Sequence, residues 1–295
     1  MSSVLELEDW TGEDTSVGEI ERQLVALRAS ASSEGAGPQL RTSVLTHLAW
    51  VPPEWEQAAT DTLAGLAERH PSRAILLLPQ PDAAEDALDA TVSLRCFVHG
   101  GAERLVCSEV LELRLRGNRA VAPESIVTPL MLPDLPVFLR WRGRPDFADR
   151  AFNGLVDAVD RLIIDTTEWP DLPAPYAELA GIFDRTAVSD IAWSRGNRWR
   201  VGLAGLWPGI AEAKRLHVVG PHAVALLLAA WLTARLGHRV ELDHEAAELT
   251  ELIEVDGQPV EPPRGDRPSG SDLLSDELEQ YGRDRIYEEA VQAAV

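Results

Sequence analysis

Two short segments of the sequence place tryptophan beside arginine, and these residue types are suited to gripping another protein. The first segment spans residues 132–143 and the second spans residues 190–200. Trp and Arg are enriched at the centres of protein interfaces, because each combines a large surface with a directional polar group. The alternative is that the indoles pack in the core. The predicted partner-binding residues are Trp141, Arg142, Trp193, Arg195, Trp199 and Arg200.

A third cluster could bind an anion. Arg69, His70, Ser72 and Arg73 stand immediately before a near-continuous apolar strand. Two guanidinium groups, an imidazole and a hydroxyl could hold a phosphate or carboxylate through charge-assisted hydrogen bonds. The alternative, which we favour, is a helix C-terminus at which the basic side chains meet the helix dipole before Pro71.

The sequence lacks the patterns that usually signal catalysis or a cofactor. It contains no G-x-G-x-x-G or Walker loop, no metal-ligand spacing and no nucleophile motif, so we predict no catalytic residue, no metal and no cofactor. The two cysteines, Cys96 and Cys107, fall in predicted adjacent strands. Two cysteines favour free, buried thiols in a reducing compartment, and a redox pair is the alternative.

Charge and hydropathy exclude two classes of partner. The 295 residues carry a formal net charge of −21, which argues against nucleic acid and anionic membranes. The longest apolar run, 223–232, is far shorter than the ~20 residues that a membrane-spanning helix needs. The N-terminal sequence has no secretory pattern, so we expect a soluble cytoplasmic protein. Lys214 is the only lysine among 27 basic residues, a bias typical of a high-GC bacterial genome.

The order of predicted elements indicates the fold class. Residues 42–78 predict a strand–helix–strand unit, residues 91–98 and 104–115 an antiparallel pair, and residues 214–242 a second strand–helix–strand unit. A single helix is predicted from Ser189 or Asp190 to about Leu206. The fold is therefore predicted as α/β, with a mixed, mostly parallel sheet and flanking helices, followed by a smaller second α/β unit.

Composition shifts divide the chain into four predicted parts. Residues 1–38 form an amphipathic helix and a linker, and residues 39–175 form an α/β domain that ends in a Pro-rich stretch. Residues 176–261 form a C-terminal α/β domain. Residues 262–295 begin with a Pro/Gly/Arg segment and continue as a flexible, acidic, helix-prone tail that we expect to be dispensable for folding.

Several of these segments together resemble the glucose-6-phosphate dehydrogenase assembly protein family (OpcA), found in actinobacteria and cyanobacteria. The resemblance covers roughly Arg41 to Trp207. Arg140, where the family tends to have an aromatic residue, and Val201, where an acidic residue is expected, depart from the pattern. The segments that carry the resemblance are 41–45, 70–73, 132–138, 141–143, 161–165, 190–195 and 199–200.

The resemblance implies a protein that is not an enzyme. It implies binding to glucose-6-phosphate dehydrogenase, promotion of the active oligomer and allosteric activation in the oxidative pentose phosphate pathway. The thioredoxin-linked cysteine control associated with cyanobacterial relatives is not carried over to this chain. The alternative function is a sugar-phosphate-binding sensor or enzyme that uses a sheet crevice near Arg69–Arg73.

Overall fold

A computed structural model describes residues 4–6, 9–33, 43–66, 69–98 and 105–295. The chain divides into two compact units, Met1–Leu162 and Ile163–Val295. The structure thus places the division before the Pro-rich stretch, whereas the sequence predicts it after residue 175. The predicted linker up to residue 38 lies, from residue 34 onward, outside the described residues.

The first unit contains eight strands and four α-helices among its described residues. The strands are β1 (Val4–Glu6), β2 (Trp10–Gly12), β3 (Leu45–Trp50), β4 (Ser72–Gln80), β5 (Ala87–Val98), β6 (Leu105–Arg116), β7 (Val137–Trp141) and β8 (Arg161–Ile164), the last of which runs across the division. The helices are α1 (Val17–Ser33), α2 (Glu56–Leu66), α3 (Glu124–Val127) and α4 (Arg150–Asp157).

The sheet of the first unit is mixed. Its strand order is β1-β5-β6-β4-β3-β7-β8, and β2 also pairs with β5. β3 is parallel to β4 and to β7, and β4 is parallel to β6. β5 is antiparallel to β6, as its alternating pattern predicts. The near-continuous apolar run of β4 is buried along almost its whole length, as expected for a central strand with both faces covered.

The two cysteines lie opposite each other in this sheet, but Cys107 is not free. The β5–β6 register pairs the backbone of Cys96 with that of Cys107. Cys107 is disulfide-bonded, which corrects the prediction of a free buried thiol. Spacing along the sequence does not reveal this register.

The second unit contains β9 (Ala187–Asp190), a separate four-stranded sheet and six α-helices among its described residues. The separate sheet has the order β11-β10-β12-β13, in which β10 and β11 are parallel and the other pairs are antiparallel. Its strands are β10 (Arg215–Gly220), β11 (Glu241–Ala246), β12 (Leu252–Val255) and β13 (Gln258–Pro259). The helices are α5 (Pro175–Ala180), α6 (Ile191–Arg195), α7 (Asn197–Gly205), α8 (His222–Leu236), α9 (Gly270–Leu278) and α10 (Arg285–Ala293). The predicted fold class is confirmed.

The apolar helix α8 forms the centre of the second unit. It lies within the second predicted strand–helix–strand unit, residues 214–242, and ends at Gly237, whose φ of 73° is a left-handed conformation that glycine adopts without strain. Within the described parts of the chain, no helix combines the length and the apolar character that a membrane crossing requires.

The helix predicted from residue 189 or 190 to about 206 is interrupted. The side chain of Asp190 accepts a hydrogen bond from the Ala192 backbone N–H at 2.9 Å and caps α6. Gly196 then ends α6 and precedes α7. Because the interruption changes the direction of the side chains, spacing counted along one straight helix does not describe this segment.

The predicted flexible tail is instead folded in the second unit. Its apolar side chains are buried because they recur at helical spacing on α9 and α10. Ser269 and Asp272 form a reciprocal capping box that begins α9. The buried apolar residues of these helices are Leu273, Leu274, Leu278, Tyr287, Ala290 and Val291.

Candidate functional site

The first Trp-Arg segment has its indole in the core of the first unit. Trp141 is 4% exposed and stacks on Trp50, with 4.8 Å between ring centroids and 9° between planes. The rings of Trp141 and Phe152 are nearly perpendicular, with 5.0 Å between their centroids. This residue therefore packs β7 against β3 and α4, and it has little surface to offer a partner.

Arg142 follows on the same strand end and is half-buried. Its guanidinium lies 5.6 Å from the centroid of the Trp55 ring and donates a hydrogen bond to Thr62 Oγ1 at 3.1 Å. Its backbone N–H is bound to the Trp50 carbonyl. The aromatic contact and the hydroxyl hold the side chain in place at the edge of the surface, where a partner's carboxylate could reach it.

Beneath this segment, His47 on β3 is buried and neutral. Burial, together with the positive charges of Arg140 and Arg142, lowers the pKa of His47 from 6.5 to about 3. Its Nε2 atom has no hydrogen-bond partner among the described residues. The residue is therefore a core imidazole, and an imidazole with this pKa is not suited to act as a base near neutral pH.

The second Trp-Arg segment also makes its contacts within its own unit. Trp193 is 6% exposed, and its indole N–H donates to Asp284 Oδ2 at 2.9 Å. The guanidinium of Arg200 lies over the same ring, 3.4 Å from the centroid, and donates to the Trp193 carbonyl at 2.5 Å. Burial lowers the pKa of Arg200 to about 10, against the opposing effect of Asp284 and Glu277. The stack joins α6, α7 and the segment before α10.

Arg195 and Trp199 complete this segment. Arg195 is partly exposed and forms an ion pair with Asp165 at 3.2 Å. Trp199 is 8% exposed. Of the six predicted partner-binding residues, the three indoles are thus buried within their units, and the arginines retain the accessible surface.

A buried carboxyl group lies next to this cluster. Asp190 accepts hydrogen bonds from the Thr166 N–H, the Thr166 hydroxyl at 2.7 Å and the Tyr287 hydroxyl at 3.2 Å, besides the Ala192 N–H. Burial, and to a smaller extent the charge of Asp165, raises the pKa of Asp190 from 3.8 to about 7. The donors from Thr166 and Ala192 lower this pKa, but burial outweighs them, and no cationic side chain of the described residues pairs with Asp190.

The predicted anion-binding cluster is not an open site. Arg73 is 6% exposed, pairs with Glu109 at 2.7 Å and donates to the Leu130 carbonyl at 2.5 Å. His70 and Ser72 are also buried, and only Arg69 is exposed. The backbone N–H groups of Arg69 and His70 bind the Leu66 carbonyl at the end of α2. The arrangement therefore agrees with the helix-terminus alternative.

Three large apolar side chains are exposed on α7 or in the turn that follows it. Trp207 is 62% exposed, and Val201 and Leu206 are 53% and 41% exposed. Sequence reasoning missed these side chains, because it predicts one uninterrupted helix to about Leu206. The available signal was the Pro208-Gly209 pair, which places Trp207 in a turn instead of a helix.

Comparison with known proteins shows what the first part of the chain resembles. Residues 64–181 match the family model described as the glucose-6-phosphate dehydrogenase subunit N-terminal domain. This part of the chain is similar to that domain. The match contains the first Trp-Arg segment, whereas α6 and α7 lie beyond it.

Curated relatives agree with this assignment. Proteins named OxPP cycle protein OpcA from Synechocystis sp. and Synechococcus elongatus are 27% and 26% identical over 182 and 183 residues, which is 58% of this chain in each case. A protein of the same name from Nostoc punctiforme is 25% identical over 185 residues. The matched part spans only 38%, 41% and 39% of the length of these three relatives.

Proposed function

We propose that this protein binds glucose-6-phosphate dehydrogenase, favours its active oligomer and raises its activity in the oxidative pentose phosphate pathway without catalysing a reaction itself. The observation that carries the proposal is the match of residues 64–181 to a family described by that enzyme. The name of the relatives, which refers to the OxPP cycle, supports the same pathway.

We propose that the dehydrogenase contacts the exposed apolar side chains of Val201, Leu206 and Trp207. An indole that is 62% exposed can desolvate a large area on binding at little cost to the fold. Arg142 and Arg195 remain candidate contacts, since both keep accessible surface. In this proposal the indoles of Trp141, Trp193 and Trp199 are buried, and they stabilise the segments that carry Arg142 and Arg195.

Activation requires that the protein bind the active state of the dehydrogenase more tightly than the inactive state. Equal affinity for both states would shift nothing, whatever its strength. A coupling free energy of about 1–3 kcal/mol would change the dehydrogenase's affinity for its ligands about 5- to 150-fold.

The test combines kinetics and mass measurement with the dehydrogenase from the same organism. Adding the purified chain should raise kcat/KM and shift the dehydrogenase to a larger assembly that contains both proteins. Trp207→Ala should raise the concentration of this protein that gives half-maximal activation about tenfold or more. This is the effect of losing an interface anchor worth at least about 1.4 kcal/mol.

Tyr281→Ala is the matched control, because Tyr281 is also a large exposed aromatic residue (66%) of the second unit. It should leave activation unchanged. The proposal fails if the two proteins neither associate nor alter the kinetics. It also fails in its non-catalytic part if the pure chain alone oxidises glucose 6-phosphate at a rate proportional to its concentration.

A further inference from the structure

A cleft in the second unit brings together three arginines, two of which no motif predicts as site residues. Arg195, Arg198 and Arg267 line a space of about 570 Å³. This volume lies in the range of about 300–1,000 Å³ that is typical of small-molecule sites. The lining residues come from five separate stretches of sequence, so the fold creates the cluster.

The positive charges of this cleft are poorly compensated. Arg198 donates only to backbone carbonyls, those of Pro263 and Asp266. Arg267 is exposed and makes no hydrogen bond or ion pair with any residue that the structure describes. The chain has 48 acidic against 27 basic residues, so the charge of this lining is opposite in sign to that of the whole chain.

Arg195 adds an unsatisfied donor. One of its terminal nitrogens binds Asp165, but its buried Nε has no partner among the described residues. A buried N–H without an acceptor is costly, and such groups in native proteins usually await a ligand, an ion or water.

The rest of the lining is apolar or uncharged, apart from one carboxylate. Trp199 and Leu249 contribute ring and aliphatic surface, and Thr167 and Thr250 contribute hydroxyls. The exposed Glu248 is the only acidic side chain of the lining, so the guanidinium groups outnumber it three to one. A ligand that fits this arrangement carries a negative group at one end and an apolar or hydroxyl-bearing body at the other.

We propose that this cleft binds a small organic anion, a phosphate monoester or a carboxylate joined to a ring or aliphatic body. Arg267 and Arg198 hold the anionic group, and Trp199 and Leu249 contact the body. The inference is independent of the proposed function, because it concerns a ligand of this chain alone.

The test is an NMR titration of the full ¹⁵N-labelled chain at constant ionic strength, with arginine Nε–H and tryptophan Nε1–H signals as the readout. The probes are phenyl phosphate, benzoate, inorganic phosphate and the uncharged benzyl alcohol. At least one ring-bearing anion should saturate the site with a Kd about tenfold or more below that of benzyl alcohol and of inorganic phosphate. Tighter binding of phenyl phosphate assigns a phosphate ligand, and tighter binding of benzoate assigns a carboxylate; either supports the site.

Arg267→Gln is the decisive variant, since this side chain makes no hydrogen bond or ion pair with the residues that the structure describes. It should raise the Kd of the anions about tenfold and leave that of benzyl alcohol unchanged. Arg264→Gln, an exposed arginine of the same segment that does not line the cleft, should change neither. The proposal is overturned if neither anion saturates, if Arg267→Gln binds them normally, or if inorganic phosphate binds as tightly as phenyl phosphate.

Discussion

Replacing Asp190 by asparagine should change the way in which the stability of the second unit depends on pH. Asp190 is 1% exposed, and burial raises the pKa of its carboxyl from 3.8 to about 7. Asparagine has nearly the same shape. Its carbonyl can accept from the Thr166 and Ala192 N–H groups, and its amide can donate to the hydroxyls of Thr166 and Tyr287, so the variant should fold.

The direction of the effect follows from proton binding. Between about pH 4 and pH 7 the folded state keeps the proton on Asp190, whereas the unfolded state loses it. The free energy of unfolding therefore falls as pH rises through this window. The difference between about 7 and 3.8 corresponds to a loss of about 4 kcal/mol from this group, at about 1.4 kcal/mol per unit of pKa.

Hydrogen exchange measured by mass spectrometry on peptides of α8 reports the opening free energy of the second unit by itself. From pH 4 to pH 8, Asp190→Asn should remove most of that decline of about 4 kcal/mol. The variant therefore becomes more stable relative to the wild type as pH rises. Asp184→Asn, which removes an exposed carboxylate from the same unit, should keep the wild-type profile. Parallel profiles for Asp190→Asn and the wild type would refute the reasoning.

Two further predictions concern buried groups. The first unit should lose stability as pH falls below about 6.5, because the unfolded chain binds a proton that buried His47, with a pKa of about 3, does not. His47→Gln should flatten this decline in peptides of β4, and an unchanged acid profile would contradict the assignment. Truncation after Pro263 should abolish cooperative unfolding of the second unit, since it removes the buried Leu278, Tyr287 and Val291. Circular dichroism melting of the truncated chain checks this, and a melting temperature unchanged from the full chain would show that α9 and α10 are dispensable.

The elements with strong local signals could be predicted from the sequence. The strands β5 and β6 form the predicted antiparallel pair, because their apolar and polar residues alternate. The helix α8 lies in the predicted unit 214–242, because it is an apolar stretch that ends at a glycine. The prediction of a flexible tail is wrong because it rests on the Pro/Gly/Arg composition at residues 262–271. It gives too little weight to the helical spacing of Leu273, Leu274 and Leu278. Local composition does not reveal a buried face whose other half lies far away in sequence.

The candidate site was predictable only in part. The Trp-Arg pairing of residues 193 and 200 is real, but the guanidinium covers the indole within the chain instead of facing a partner. Adjacency in sequence cannot distinguish these two uses of the same pair. The arginine cleft depends on Arg198, Arg267 and Thr250 meeting after folding, and no local pattern encodes that meeting.

The hydrogen bonds between α6 and the C-terminal part of the chain limit how early the second unit can finish folding during synthesis. Trp193 needs Asp284, and Ser194 donates to Glu277, about ninety and eighty residues later in the chain. A ribosome adds about 5–20 residues per second, so α6 waits for several seconds with these groups unpaired. During that interval the nascent second unit exposes the apolar face of α8 on which α10 later packs. A chaperone that recognises apolar helices would therefore find its target in this half of the nascent chain.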